Sequence, residues 1–380
     1  MAVGRLLEYM RANRGAMVGL IRTLVEIESP TSHKAGTDRV ADAVVAAASG
    51  FARSTRCPET DYGDHLRLEF DIPTRGEGQV LAIGHLDTVW EVGTLERMPW
   101  RVSDCRLWGP GVFDMKAGVA FILFAAKALR DLGLKSRRRF VAQLNSDEEV
   151  GSPTSTRLTR AEALRSAAVL VAEPSAGLEG SVKTARKGGA TFHVEVRGVA
   201  SHAGLDFEAG ASAIVELARQ VCRISSWADP PVGITVNPGL VRGGSATNVV
   251  AERAAASFDV RFQTKEQALG IRRRFDSLEP FDPRCRIETS GGIGKMPMER
   301  TGEVVRLYKL AREIAAEMGI ELGEASVGGG SDGNTTAALG IPTLDGLGAV
   351  GEGAHATHES ILIDRIADRA ALIAALVHRL

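Results

Sequence analysis

Three apolar runs constrain this chain more than any other feature: VLAIGHLD (80–87), FVAQLNSDEE (140–149) and AAVLVAEP (167–174) each begin without a polar residue in alternation and close on acids or a histidine. Such runs suit strands buried on both faces, as in a parallel sheet covered by helices. The segments around them fit. Helices are expected through about residue 50, LRLEF (66–70) reads as a further strand, and a long apolar helix is expected from about 115 to 132. Strands alternating with helices predict an α/β fold with a mostly parallel sheet between helices.

The rhythm changes between about residues 188 and 295. FHVEVRG alternates at period two, a helix is expected over 209–226, ITVNPGLVRGG and AAASFDVRF read as strands, and a helix over 265–278 precedes CRIETSG. Strand, helix, strand, strand, helix, strand is the ferredoxin-like order. After Pro297 the first rhythm returns, with a helix over about 302–318, a Gly-rich turn VGGGSDGNTT, a buried strand IPTLDGLG and a closing helix near 363–380. The expected domains are therefore 1–186 and 297–380 as one body, with 187–296 inserted in it. A chain of 380 residues is long enough for both to bury a core.

Charge narrows the partners. With 46 basic and 47 acidic residues there is no electrostatic case for nucleic acid or an anionic membrane, and a small-molecule substrate fits better. No apolar run reaches the length of a membrane span, and the opening residues read as an amphipathic helix pair, so a cytoplasmic protein is expected. Cys57, Cys105, Cys222 and Cys285 lie far apart without CxxC pairing, which argues against a cysteine metal site or a disulfide framework.

The strand ends carry the chemistry. His85 and Asp87 stand two residues apart, so both side chains leave one face of the strand, and the carboxylate can orient the imidazole. A buried histidine bonded to a turn aspartate would look the same in isolation. Asp114 follows a Gly-Pro turn and precedes the apolar helix, where it could cap the helix or bridge two cations. Asp147, Glu148 and Glu149 close another strand; if the chain stays extended, the two glutamates point apart, one to ligate metal and the other to act as general base. A solvated acidic loop is the plainer alternative. Glu173 follows a third apolar run, and GEGAHATHES supplies His355 and His358. Taken together, His85, Asp114, Glu149, Glu173 and His355 form an N and O donor set suited to two borderline cations, such as zinc, that share one carboxylate.

With HLDTV, GPGVFDMKAG, NSDEEVGS, AEPS, RGVASHAG, SATNVV, SFDVRF, GGGSDGN and GAHATHE on the page, the chain resembles the M20 metallopeptidases over almost its whole length. It looks most like their glutamate carboxypeptidase branch. The resemblance implies a zinc-peptidase catalytic domain carrying an inserted lid and dimerisation domain, with two Zn2+ ions, Co2+ or Mn2+ being acceptable in their place. One zinc would be held by His85 and Glu173, the other by Glu149 and His355, with Asp114 bridging. His355 is preferred to His358 because relatives read H, three residues, then E, here Glu359. Glu148 would be the general base, and Asp87 would support His85.

The same resemblance implies that His202 polarises the scissile carbonyl in a neighbouring subunit of a homodimer. It also implies that Asn248 and Arg261 bind substrate; the backbone amides of Gly329 and Gly330 are expected to assist them. A cis peptide is expected after Asp114. The implied reaction is hydrolysis of the amide bond of an N-acyl amino acid or peptide with a free C-terminal carboxylate, glutamate being the favoured leaving group. Arg186 or Lys187 are nominal partners for a second carboxylate. Other M20 deacylases and dipeptidases are the near alternatives. A non-catalytic binding protein on this fold is the distant one, disfavoured because all five candidate ligands and Glu148 are present.

Overall fold

The computed structural model describes residues 2–380. They fall into two compact units. One comprises the chain up to Thr184 with Arg300–Val327 and Ser331–Leu380; the other comprises Ala185–Glu299 with Gly328–Gly330.

The first unit is built on a six-stranded sheet, in the order Ala52–Cys57, His65–Phe70, Arg139–Asn145, Gln79–His85, Ser166–Val171, Thr343–Leu344. The last four run parallel, and the first two are antiparallel additions at one edge. Every residue of Gln79–His85 is buried, as the unbroken apolar run requires. The two faces meet different cores. Val80, Ala82, Phe140, Ala142, Ala168 and Leu170 join the large core, with the helices Ala117–Asp131 and Ile366–Arg379. Leu81, Ile83, Val141, Val169 and Val171 join a smaller core, with Ala163 and the partly buried Leu339 and Ile341. Each large side chain so buried contributes about 1.5–3 kcal/mol, so the alternation locks the strand register.

Parallel strands bring their carboxyl ends to one edge, and His85 sits directly beside Asn145 there. The loops that follow must therefore meet, which is why open α/β sheets collect ligands at that edge. The helix Ala117–Asp131 approaches the same edge through Gly118, where a Cβ would lie 2.0 Å from the carbonyl oxygen of Ala172. Only glycine permits that approach.

The second unit has strands Gly188–Arg197, Thr235–Gly243, Arg253–Phe262 and Arg286–Lys295, with helices Ala213–Ser225 and Lys265–Asp276 after the first and third. The sheet is antiparallel, in spatial order second, third, first, fourth, the ferredoxin-like arrangement. Its core stacks Phe192, Phe258, Phe262 and Phe275 between sheet and helices.

Three expectations need correction. The strand before Glu148 stops at Asn145, and Glu148–Val150 form a single 3-10 turn, so the argument from an extended chain does not apply to these glutamates. VGGGSDGNTT is not all turn: Asp332–Ala338 is a helix capped by Ser331, whose hydroxyl accepts from Gly333 N–H while Asn334 reaches back to Ser331 N–H. IPTLDGLG supplies only the two-residue strand Thr343–Leu344. Among the described residues, no helix is long and apolar enough to cross a membrane.

Candidate metal centre

The carboxyl edge of the parallel strands holds a compact cluster. His85 is fully buried, and its Nε2 lies 3.2 Å from Asp114 Oδ1 and 3.6 Å from Glu173 Oε1. His355 Nε2 lies 3.5 Å from the other oxygen of the same aspartate, Asp114 Oδ2, and 3.2 Å from Glu149 Oε2. Asp114 thus turns one oxygen to each histidine. Glu148 lies with His85 and Glu173, each offering a donor atom within 4.8 Å of the others. His355, not His358, makes this approach, and does so with a left-handed backbone (φ 60°) that is strained for a non-glycine residue.

The imidazole of His85 is fixed from behind. Its Nδ1 lies 2.9 Å from the main-chain carbonyl of Asp87 and 3.5 Å from that residue's carboxylate, so the backbone oxygen is its nearer partner. The Asp87 carboxylate accepts from the Thr31 hydroxyl at 2.7 Å and from the backbone N–H of Glu148 and Glu149 at 3.3 and 3.2 Å. One buried acid therefore couples the His85 strand end to the turn carrying both glutamates. The peptide bond between Asp114 and Met115 is cis.

The electrostatics of the cluster favour positive charge. Burial opposes the charged form of His85, but Asp114 and Asp87 outweigh it and raise the imidazole well above its usual range. Hydrogen bonds to Asp114 and Glu149 raise His355 to about 10, despite burial. Burial pushes Asp114 upward, yet the two imidazoles bring it below the ordinary carboxylate range. Glu149 Oε1 is buried without a hydrogen-bond partner, an orphan acceptor of the kind a cation satisfies. Carboxylate and imidazole donors on both sides of one shared aspartate fit two divalent ions of zinc type.

The remaining sequence candidates lie in the second unit. His202 is exposed, and its Nδ1 accepts from the N–H of Gly204 at 3.1 Å and of Leu205 at 3.2 Å. Because Nδ1 is the acceptor, the neutral ring carries its proton on Nε2. Asn248 is exposed beside it, its main-chain carbonyl accepting from Ala203 N–H at 2.9 Å. Arg261 is gripped along one edge by Asp259, Nε to Oδ1 at 2.8 Å and Nη2 to Oδ2 at 2.7 Å. Its cross-strand partner is Gly189, where a Cβ would lie 3.0 Å from Nη1. The carbonyls of Gly329 and Gly330 accept from Nη1 of Arg186 at 3.1 and 3.0 Å. Arg186 is only 4% exposed.

Several contacts around the cluster were not read from the sequence. Glu359 entered only as the end of a motif, but its buried carboxylate accepts from the backbone of Gly111, Phe113 and Asp114 and from the Trp90 indole. Burial pushes that carboxyl up to about 7 against the pull of these donors. Asp147, the first acid of its triplet, bonds Thr154 and Ser155 through both backbone and hydroxyl groups and shapes the loop. Lys116 is fully buried, donates to the Ile27 carbonyl at 2.7 Å and is pushed down to about 7 by burial. The spacing DVR did carry a signal for Asp259, since residues two apart on a strand share a face.

Comparison with known proteins agrees with this geometry. Residues 81–379 match peptidase family M20/M25/M40. The chain is 29% identical over 359 residues to carboxypeptidase G2 of Pseudomonas sp. (strain RS-16), covering 90% of this chain and 83% of that one. It is also 29% identical over 306 residues to succinyl-diaminopimelate desuccinylase of Acidovorax ebreus (strain TPSY), covering 75% and 76%. In fold it resembles a dinuclear metal-binding M20 peptidase of Bacillus subtilis, with a TM-score of 0.70 at 16% identity, covering 97% of this chain and 98% of that one. The match spans most of the chain and includes both ends of the metal-centre sequence, so this protein belongs to peptidase family M20/M25/M40 and is a hydrolase.

Proposed function

We propose that the protein is a di-zinc amidohydrolase that releases a C-terminal amino acid, most favourably glutamate, from an N-acyl amino acid or peptide bearing a free carboxylate. The observation that carries this reading is Asp114 presenting one oxygen to each of two histidines, with Glu148 alongside. His85 and Glu173 would hold one ion, Glu149 and His355 the other, and Asp114 both. Bound there, the ions would polarise the scissile carbonyl and lower the pKa of water.

Every other role falls to the chain itself. Glu148 takes the proton from the attacking water and passes it to the leaving amine. His202, from the partner subunit of a homodimer, donates its Nε2–H to the developing oxyanion, a role its Nδ1 contacts support. Asp259 occupies the Nε edge of Arg261 and leaves the Nη edge for the substrate carboxylate, a bidentate match in which Asn248 and the amides of Gly329 and Gly330 assist. Dimerisation through the inserted unit is supported by its edge strand Thr235–Gly243, where Leu240 and Val241 are exposed. Balanced charge supports a small-molecule substrate, and a cytoplasmic location is part of the same proposal.

The desuccinylase similarity favours one second reading, a deacylase for another N-acyl amino acid. Release of free glutamate from an N-acyl glutamate decides between them, measured on purified protein, after chelation and after zinc return, beside other N-acyl and N-succinyl amino acids. Metal-dependent activity favouring glutamate is expected. Activity confined to another member of the panel moves the substrate and keeps the mechanism, and no hydrolysis of any amide defeats the reading.

A further inference from the structure

We infer that Glu359 is a positioning residue for Asp114, setting the turn that lets this aspartate offer one oxygen to each side of the metal centre. The inference rests on the two-ion reading of that centre.

Residues 112–116 form a wide turn in which Asp114 (φ −113°, ψ 95°) departs from helical geometry. Amides at a helix start have no preceding carbonyl to bond and need acceptors from elsewhere. Glu359, 1% exposed, supplies them from across the fold. Its Oε1 accepts from Phe113 N–H at 2.9 Å and Asp114 N–H at 3.0 Å. Its Oε2 accepts from Gly111 N–H at 2.9 Å and the Trp90 indole at 2.7 Å.

Four donors converging on one group call for an acceptor on both sides, which a carboxylate is and an amide is not. In a glutamine, whichever way it is flipped, the NH2 faces two N–H groups. Glu359 also lies four residues after His355, so one short segment reaches Asp114 twice: His355 Nε2 meets its Oδ2, and Glu359 takes its N–H. The segment therefore couples the height of the bridging carboxylate to the histidine that faces its second oxygen. Displacing the turn moves Oδ2 against Glu149 and His355, while Oδ1 keeps the buried, backbone-fixed His85 as its partner.

Titration of the metal-free protein with Co2+, followed by visible d–d absorption, tests this, with melting of the metal-free form as the control for folding. Wild type is expected to bind two Co2+ per chain. E359Q is expected to fold, to keep one ion, and to bind the second about 10–100-fold more weakly with an altered spectrum. Equal stepwise affinities and spectra in E359Q and wild type would overturn the role. If E359Q does not fold, W90F removes one donor without touching the turn; a several-fold weaker second site supports the role, and an unchanged one rejects it. Failure of the wild type to bind two Co2+ defeats the metal-centre reading itself, and this role with it.

Discussion

In the larger unit the sheet is covered on both faces, and its ionisable groups gather where the parallel strands end: His85 is 1% exposed, Glu173 7% and Asp87 wholly buried. In the inserted unit the helices Ala213–Ser225 and Lys265–Asp276 cover one face, while His193, Ser257, Asp259 and Arg261 lie on the other, exposed or half-buried. In the first arrangement the carboxylates of Asp114 and Asp87, strengthened by the loss of water, raise His85 against the cost of its burial, while His355, about half exposed, is raised by its hydrogen bonds to Asp114 and Glu149. The second leaves side chains open to a ligand and fixes them by local bonds: Nδ1 of His202 by two amides, Arg261 by Asp259. Contacts from distant parts of the chain assemble the first cluster, and short local bonds orient the side chains of the second.

That contrast can be broken by substitution. Changing Glu148→Gln in the buried cluster is expected to cut turnover by roughly a hundred to ten-thousandfold, the range for a general base, with metal content unchanged by atomic absorption. A milder loss would hand the proton transfer to another group. His202→Ala, in the exposed unit, is expected to lower turnover by roughly a hundred to a thousandfold without moving the melting temperature or the metal content. A matching loss of metal would place His202 among the ligands and erase the division between the units.

Arg261→Ala should raise KM for carboxylate substrates by about 10–100-fold, the worth of a charge-assisted hydrogen bond, with little change in kcat. Asp259→Asn should do the same by a smaller factor, since it frees Arg261 without removing it. Steady-state kinetics with a substrate and its carboxamide analogue checks both, because the carboxamide should be indifferent to either change. The smallest effect is in protons. His85 and His355 are raised in the metal-free protein, so at pH 7 both carry a proton that a cation must displace. Calorimetry of metal binding in buffers of different ionisation enthalpy should register release of about two protons at pH 7. As pH rises through about 10, His355 loses its proton beforehand and the release should fall.

The α/β class, the ferredoxin-like insertion and the concentration of acids at strand ends were all legible in the sequence, because each follows from periodicity over a few neighbouring residues. Apolar runs such as VLAIG and AAVLV must be buried on both sides, and the alternation in FHVEV must be buried on one, wherever the rest of the chain goes. The tertiary structure decided what depends on residues far apart. It bent Glu148 and Glu149 into a turn whose amides bond Asp87, sixty-one and sixty-two residues earlier. It brought His355, which the spacing to Glu359 favours over His358, to within 3.5 Å of Asp114, and it set Glu359 under a turn 245 residues before it, which no spacing announced. No local pattern encodes such pairings. A carboxylate reads the same in sequence whether it caps a loop, bridges two cations or holds a turn in place, and only the donors that the fold brings around it tell these apart.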